Sequence, residues 1–422
     1  MGYFKRMLVD YLEKTLKTRP LVYLNGPRQT GKSTLARNLS FNGDINFLSF
    51  DSPMDLAAAK TDPAKFIRSL PVEALNIIDE VQMAPEIFPY LKMAVDKNRA
   101  KGGGTGLYLL TGSANLLALP VLSQALVGRM SLLTLLPFSS SEYRQTGFNF
   151  VEKLFDGKME YRSYRNYDLP GIILNAGFPE PALNPSIDRN QWFSDYLNTL
   201  LQRDIHTVAD IRNPSKTVML LSVLALRAGG ILNNSLAAQE TGLDIKTYER
   251  YKTAALNTFI IFEIKAWSKP NRLNKRFTRS PKLYFTDTGL LACLLRRDLE
   301  EIYRNDRITM GHLFENFIAC EIMKNAVSLA DLEVSHFRTS DQKEVDFVLE
   351  RKSGVIGIEV KLDSVPDKHD FAGLKLLKEA VGSRFRQGIV IHSGTEMVPF
   401  GEDFWAVPAC YLWDAVGTGS IN

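Results

Sequence analysis

Long apolar runs, a cysteine framework and histidine clusters are all missing from this chain. Apolar stretches such as Val218 to Leu221 stop far short of the roughly 20 residues a helix needs to cross a bilayer, so no membrane span is expected. Three cysteines, Cys293, Cys320 and Cys410, lie too far apart for a disulfide scaffold or a zinc site and are expected as reduced, mostly buried thiols. The five histidines show no metal-ligand spacing. The opening segment MGYFKRMLVDYLEK mixes charges into a helical pattern and lacks the apolar stretch and cleavage site of a secretory signal, which makes the cytoplasm the expected compartment. A net charge of +4 over 422 residues does not by itself imply a nucleic-acid partner, and that question passes to local clusters. Repeats and low-complexity tracts are also missing.

What is present is an ordinary globular composition, 45% hydrophobic and 23% charged, in a chain long enough for two or three domains. Through residues 1–150 apolar strand-like runs alternate with helical patterns: LVYLNG, NFLSFD, ALNIIDE, GLYLLTGS and SLLTLLPF. That rhythm predicts an α/β parallel sheet. Residues 151–214, rich in aromatics and loop formers, read as a helical lid or connector. Residues 215–305 carry helix, turn, helix and two strands joined by a loop, the order of a winged helix-turn-helix, with Gly242 in the turn. Residues 306–422 open with the helix GHLFENFIACEIMK and continue with strands SHFRT, EVDFVLE, GVIGIEVKL and QGIVIHS.

The most specific motif is Gly26-Pro27-Arg28-Gln29-Thr30-Gly31-Lys32-Ser33, followed by Thr34, which fits G-x-x-x-x-G-K-[ST] between a strand and a helix. Backbone N–H groups of such a turn point at phosphate oxygens, Lys32 adds charge at the β and γ positions, and Ser33 can ligate magnesium. ATP and Mg2+ are the expected ligands. Asp79, ending the apolar strand Leu75-Asn76-Ile77-Ile78, is the expected magnesium partner, and Glu80 can polarise a water for hydrolysis. The next strand delivers Ser113 and Asn115, placed to sense the γ-phosphate or to form a turn. Arg129, in LVGRM, and Arg203, in LLQRDI, are candidates to reach the phosphates or a neighbouring subunit's nucleotide; a structural role satisfies either pattern as well.

Two further constellations stand out. Lys246, Thr247, Glu249 and Arg250 lie on the second helix of the winged segment, the element that enters a major groove in DNA readers, and Lys269, Arg272, Lys275, Arg276, Arg279 and Lys282 follow without an intervening acid, a run suited to DNA phosphates or to plain solvation. In the last segment Asp346 precedes Glu359-Val360-Lys361, where a strand's period of two turns Glu359 and Lys361 to one face. Two carboxylates and an amine of this kind, with Glu315 on the preceding helix, match what metal-assisted phosphodiester hydrolysis needs, with Mg2+ or Mn2+ on Asp346 and Glu359. Gln342 and Lys343, just ahead of that strand, are solvent-facing or DNA-touching.

The runs GPRQTGKST, IIDEVQ, LLTGSANLL with LVGRM and LPFS, LQRDI and KLYFTDTGLL resemble the bacterial and archaeal AAA+ ATPases that carry a C-terminal domain of unknown function. The resemblance spans nearly the whole chain. It implies an AAA+ core, a winged helix, a nuclease-like terminal domain and a homo-oligomer such as a hexamer that borrows an arginine between subunits. Glu315, Asp346, Glu359 and Lys361 are similar in pattern to the PD-(D/E)xK nucleases. The expected function is therefore an ATP hydrolase that binds DNA, branched or single-stranded, and couples turnover to remodelling, translocation or cleavage; the alternative is a nucleotide-controlled switch or scaffold whose terminal domain does not cut.

Overall fold

A computed structural model describes residues 2–113, 128–157, 159–175, 177–208, 214–268, 280–297, 299–339 and 341–413, with the backbone alone at 175, 203–208 and 214. The chain divides into two compact units, Met1–Leu136 with Asn257–Phe259, and Pro137–Leu256 with Ile260–Asn422.

In the first unit, strands β1 (Leu21–Asn25) and β3 (Leu75–Asp79) are buried along their whole length, as expected for central strands covered on both faces. With β2 (Ile45–Ser49), β4 (Tyr108–Thr111) and β5 (Met130–Thr134) they form a parallel sheet of order β2-β3-β4-β1-β5. Leu8, Val9, Leu12 and Leu16 form the buried stripe of an amphipathic first helix, Leu8–Leu16. The next helices begin where the sequence signals them. Ser52 and Asp62 cap Pro53–Thr61 and Pro63–Ser69, each accepting a backbone N–H with proline in the first turn. Tyr23, Phe50, Ile78, Val81, Phe88, Leu91 and Leu110 fill the core.

The second unit is built on a seven-stranded mixed sheet of order β6-β13-β14-β12-β11-β10-β9. Its members are β6 (Arg162–Ser163), β9 (Glu333–Arg338), β10 (Glu344–Arg351), β11 (Gly354–Lys361), β12 (Phe385–His392), β13 (Glu396–Pro399) and β14 (Phe404–Pro408). Helix Arg307–Ala326 packs on one face with Phe314 and Phe317 against Phe347 and Ile358; helix Ala372–Val381 crosses from β11 to β12 and covers the other face with Leu374 and Leu377. Helices Pro214–Ala225, Asn234–Glu240 and Ile245–Asn257 precede an antiparallel pair, β7 (Ile261–Ile264) and β8 (Lys282–Phe285), in the order read from the sequence. Gly242, at φ +60, makes the turn.

The segments read as separate pieces share one core here. Val151 and Leu154 from the connector, Leu220 and Tyr248 from the helical triplet and Phe314 from the terminal segment belong to the same buried cluster. The physical tie is direct: β6 pairs with β13, and the Gln387 amide donates to the Leu154 carbonyl at 2.6 Å.

Candidate functional site

The phosphate-binding turn forms because β1 ends at Asn25 and the chain must reverse into helix Lys32–Arg37 within six residues, Gly26 to Gly31. Gly26 (φ +142) and Gly31 (φ +87) take backbone angles that only glycine adopts without strain, and a Cβ on Gly26 would lie 2.2 Å from the Leu135 carbonyl oxygen. Gln29 also sits at positive φ, where an ordinary residue is strained. The Thr30 hydroxyl donates to the Pro27 carbonyl at 2.9 Å, and the Lys32 ammonium donates to the carbonyls of Gly26 and Pro27 at 3.0 and 2.6 Å. Arg6, from the N-terminal segment, braces the turn from behind: its guanidinium donates to the carbonyls of Thr30 at 2.9 Å and Leu136 at 2.6 Å. Arg28, Ser33 and Thr34 complete the segment, with Thr34 exposed on the first turn of the helix.

The parallel sheet brings the remaining parts to the same edge, because ligands bind beyond the carboxyl ends of such strands. Asp79 closes β3 and accepts at Oδ1 from the Ser33 hydroxyl at 3.0 Å and from the Thr111 hydroxyl at the end of β4. This set of hard oxygen donors suits magnesium, which keeps several waters and takes one or two protein oxygens beside phosphate. Ser33 and Asp79 would hold the ion. Glu80 follows in a left-handed conformation, φ +56, which a non-glycine residue adopts only under constraint. The Gln82 amide bonds to its carboxylate and to the Ser113 hydroxyl, the latter at 3.2 Å. Burial raises the Glu80 pKa above the ordinary carboxyl value, with Gln82, Lys32 and Arg28 pulling the other way. Thus Ser33 contacts Asp79, and Glu80 and Ser113 share the Gln82 amide. Gln82, Thr111 and Arg6 were not singled out; only the IIDEVQ spacing hinted at the first.

Arg129 is a correction. β5 runs parallel to β1 with Met130 opposite Leu21 and Thr134 opposite Asn25, so Arg129 sits at the sheet edge opposite the phosphate turn. There it forms a two-pronged ion pair with Asp96 of helix Phe88–Ala100, at 2.6 and 3.0 Å. It cannot reach phosphates in its own unit. Asn115 lies outside the described residues, as does the side chain of Arg203, whose backbone belongs to helix Arg189–Val208.

The second constellation lies in the second unit. β10 carries a register shift between Val345 and Val348, a bulge that aims Asp346 into the fork between β10 and β11, where its Oδ2 accepts from the Val360 N–H at 2.9 Å. Lys282 is the second correction. Read with the basic loop, it belongs to β8, pairs opposite Ile264, is 2% exposed, and places its ammonium 2.6 Å from Asp346 Oδ1 and 3.1 Å from Glu315 Oε1. The Tyr284 hydroxyl donates to the same Glu315 oxygen at 2.7 Å. Glu359 pairs with Lys361 at 2.9 Å. Burial raises the pKa of both Glu315 and Glu359, and the Asp346 charge adds to it. Lys282, despite burial, is held charged by Asp346 and Glu315.

The divalent ion expected on Asp346 and Glu359 does not fit this arrangement. Val355, Gly357 and Glu359 alternate onto the face of helix Ala372–Val381, whereas Ile356 and Ile358 pack on the face of helix Arg307–Ala326, which carries Glu315. Glu315 and Glu359 thus start from opposite faces of the sheet, and the Lys282 ammonium lies between Glu315 and Asp346. Among the described residues no group of three or more His, Cys, Asp or Glu is arranged to hold a metal ion. Lys246, Glu249 and Arg250 are exposed on helix Ile245–Asn257, while Lys269, Arg272, Lys275, Arg276 and Arg279 lie outside the described residues. Among the described residues no helix is long and apolar enough to cross a membrane.

Comparison with known proteins agrees with the reading of the first unit. Residues 18–144 match the family described as an AAA domain, residues 166–301 match a domain of unknown function (DUF8612), and residues 310–412 match another (DUF4143). Sheet order, phosphate turn and family match together make the N-terminal unit an AAA-type P-loop ATPase fold. Across 414 residues the chain is 27% identical to uncharacterized proteins of Mycobacterium tuberculosis and Mycobacterium bovis, covering 97% of this chain and 84% of each relative. Among solved structures, a Walker-type ATPase of Pyrococcus abyssi superposes loosely, with a TM-score of 0.38 and 15% identity over 69% of this chain and 96% of that one.

Proposed function

We propose that the chain hydrolyses ATP in its N-terminal unit and binds DNA, coupling turnover to remodelling or translocation of the bound strand. One observation carries the catalytic half: Lys32, Ser33, Asp79, Glu80 and Ser113 meet at a single edge of the parallel sheet. In the reaction, water attacks the γ-phosphorus, the bond to the β-bridging oxygen breaks, and the Glu80 carboxylate receives the water's proton. Backbone N–H groups of Gly26 and residues 28–31 and the Lys32 ammonium face the charge that develops on the phosphoryl oxygens. Ser33 and Asp79 would hold magnesium, which when bound would supply Lewis-acid stabilisation of that charge.

The DNA half is supported by the exposed Lys246 and Arg250 beyond the Gly242 turn and by the basic composition of 269–279. A homo-oligomeric ring such as a hexamer accords with the AAA match, and it would need a trans arginine, for which Arg203 remains the candidate. A second reading, a nucleotide-controlled scaffold whose terminal domain holds DNA without cutting it, is favoured by the burial of Lys282 between Glu315 and Asp346.

The test is phosphate release together with nucleotide binding. Lys32→Ala should abolish binding. Glu80→Gln should bind ATP normally and lose turnover by about a hundredfold to ten-thousandfold, the usual contribution of a positioned base. Unchanged release in Glu80→Gln removes that residue from the role. ATPase measured with single-stranded, duplex and branched DNA tests the coupling, and a rate indifferent to all three refutes it.

A further inference from the structure

We propose that the acidic cluster of the C-terminal domain carries its own resident cation, the ammonium of Lys282, and therefore takes no divalent ion. The proposal stands on geometry and does not depend on the ATPase reading. Four of the six carboxylate oxygens on which a metal would be built are engaged. Asp346 Oδ1 accepts from Lys282 at 2.6 Å and Oδ2 from the Val360 N–H at 2.9 Å. Glu315 Oε1 accepts from Lys282 at 3.1 Å and from Tyr284 at 2.7 Å. Glu359 Oε1 accepts from Lys361 at 2.9 Å, which leaves Glu359 Oε2, a buried atom without a partner, on the other face of the sheet. The other oxygen without a hydrogen bond, Glu315 Oε2, belongs to the helix on the opposite face, and two such separated oxygens are not a site for an ion that demands near-octahedral coordination.

The lysine is fixed from its backbone upward. It pairs with Ile264 in β7 and bridges to Ile231, so the main chain holds its Cα while the two carboxylates hold its Nζ. A metal at the shared oxygens of Glu315 and Asp346 would have to displace an ammonium that is 2% exposed. Buried carboxylates demand a countercharge. Here the sequence supplies it from β8, and the same contact ties the helical triplet and its strand pair to the seven-stranded sheet. The cluster is then a strut rather than a cutting centre.

The experiment uses the full chain without nucleotide and Mn2+ as the probe, with free Mn2+ followed by paramagnetic resonance. Wild type and Asp346→Asn should bind Mn2+ identically, and neither should nick supercoiled DNA in Mg2+ or Mn2+. Lys282→Met strips the acids of their countercharge and should gain an additional Mn2+ site that the double variant Lys282→Met/Asp346→Asn lacks. A wild-type Mn2+ site that Asp346→Asn weakens by roughly tenfold or more, the scale on which metal-site mutations act, overturns the proposal. So does wild-type cleavage that Asp346→Asn abolishes. Should Lys282→Met fail to fold, the wild type and Asp346→Asn pair still decides, because it asks whether the native acids hold a metal.

Discussion

At the scale of single residues, Glu80 concentrates the chemistry and the constraint. It occupies a left-handed backbone conformation, is mostly buried, and is bonded by the Gln82 amide that also reaches Ser113. In the proposed hydrolysis Glu80 works as its carboxylate, so turnover should rise with pH as it loses its proton. Burial raises its pKa, which places the acid limb of the kcat profile above the ordinary carboxyl value of about 4.3. Gln82 opposes that shift by donating to the ionised form. Gln82→Leu should therefore move the limb further upward, with activity lost at the acid end of the profile and kept on its alkaline plateau. A kcat profile measured from that acid end to the plateau checks it; a limb that stays in place or moves down would separate Glu80 from proton transfer.

At the scale of elements, what was legible in the sequence is what local context alone can carry. The phosphate turn and Asp79 were readable because strand, glycine turn and helix follow one another in the chain. Arg129 was not, since only the parallel register of β1 and β5 shows that it lies on the wrong edge. Lys282 was counted with a basic loop because charge was tallied along the sequence; the one available signal was that it opens the apolar strand KLYF. Helix Ala372–Val381 and strands β13 and β14 passed unread, since their roles depend on a sheet assembled from distant segments. Two glycines measure how those elements sit. Gly373 lets helix Ala372–Val381 approach β10 so closely that an added Cβ would lie 2.1 Å from the Glu344 carbonyl oxygen, whereas a Cβ on Gly311, inside helix Arg307–Ala326, would meet nothing within 4 Å. Gly373→Ala should destabilise the second unit by about 1–3 kcal/mol through overpacking. Gly311→Ala should stabilise it by about 0.8–1 kcal/mol through helix propensity alone. Urea midpoints at unchanged slope read both changes, and equal effects of one sign would contradict this packing.

At the scale of the whole molecule, the nucleotide turn lies in one unit, and the exposed Lys246 and Arg250 and the acidic strut lie in the other. If ATP and DNA are coupled, the coupling is a free energy, and linkage makes it reciprocal: whatever factor ATP applies to DNA affinity, DNA must apply to ATP affinity. The Glu80→Gln protein, expected to bind ATP without consuming it, allows both equilibria to be measured. DNA affinity with and without ATP, and ATP affinity with and without DNA, should change by one common factor, about 5- to 150-fold if the coupling is of ordinary size. Salt should weaken the DNA arm steeply while leaving that factor largely intact, because phosphate neutralisation by basic side chains is common to both nucleotide states. Two factors of one would mean that the units bind their ligands independently, and the chain would then be an ATPase joined to a DNA-holding domain without a transmission between them.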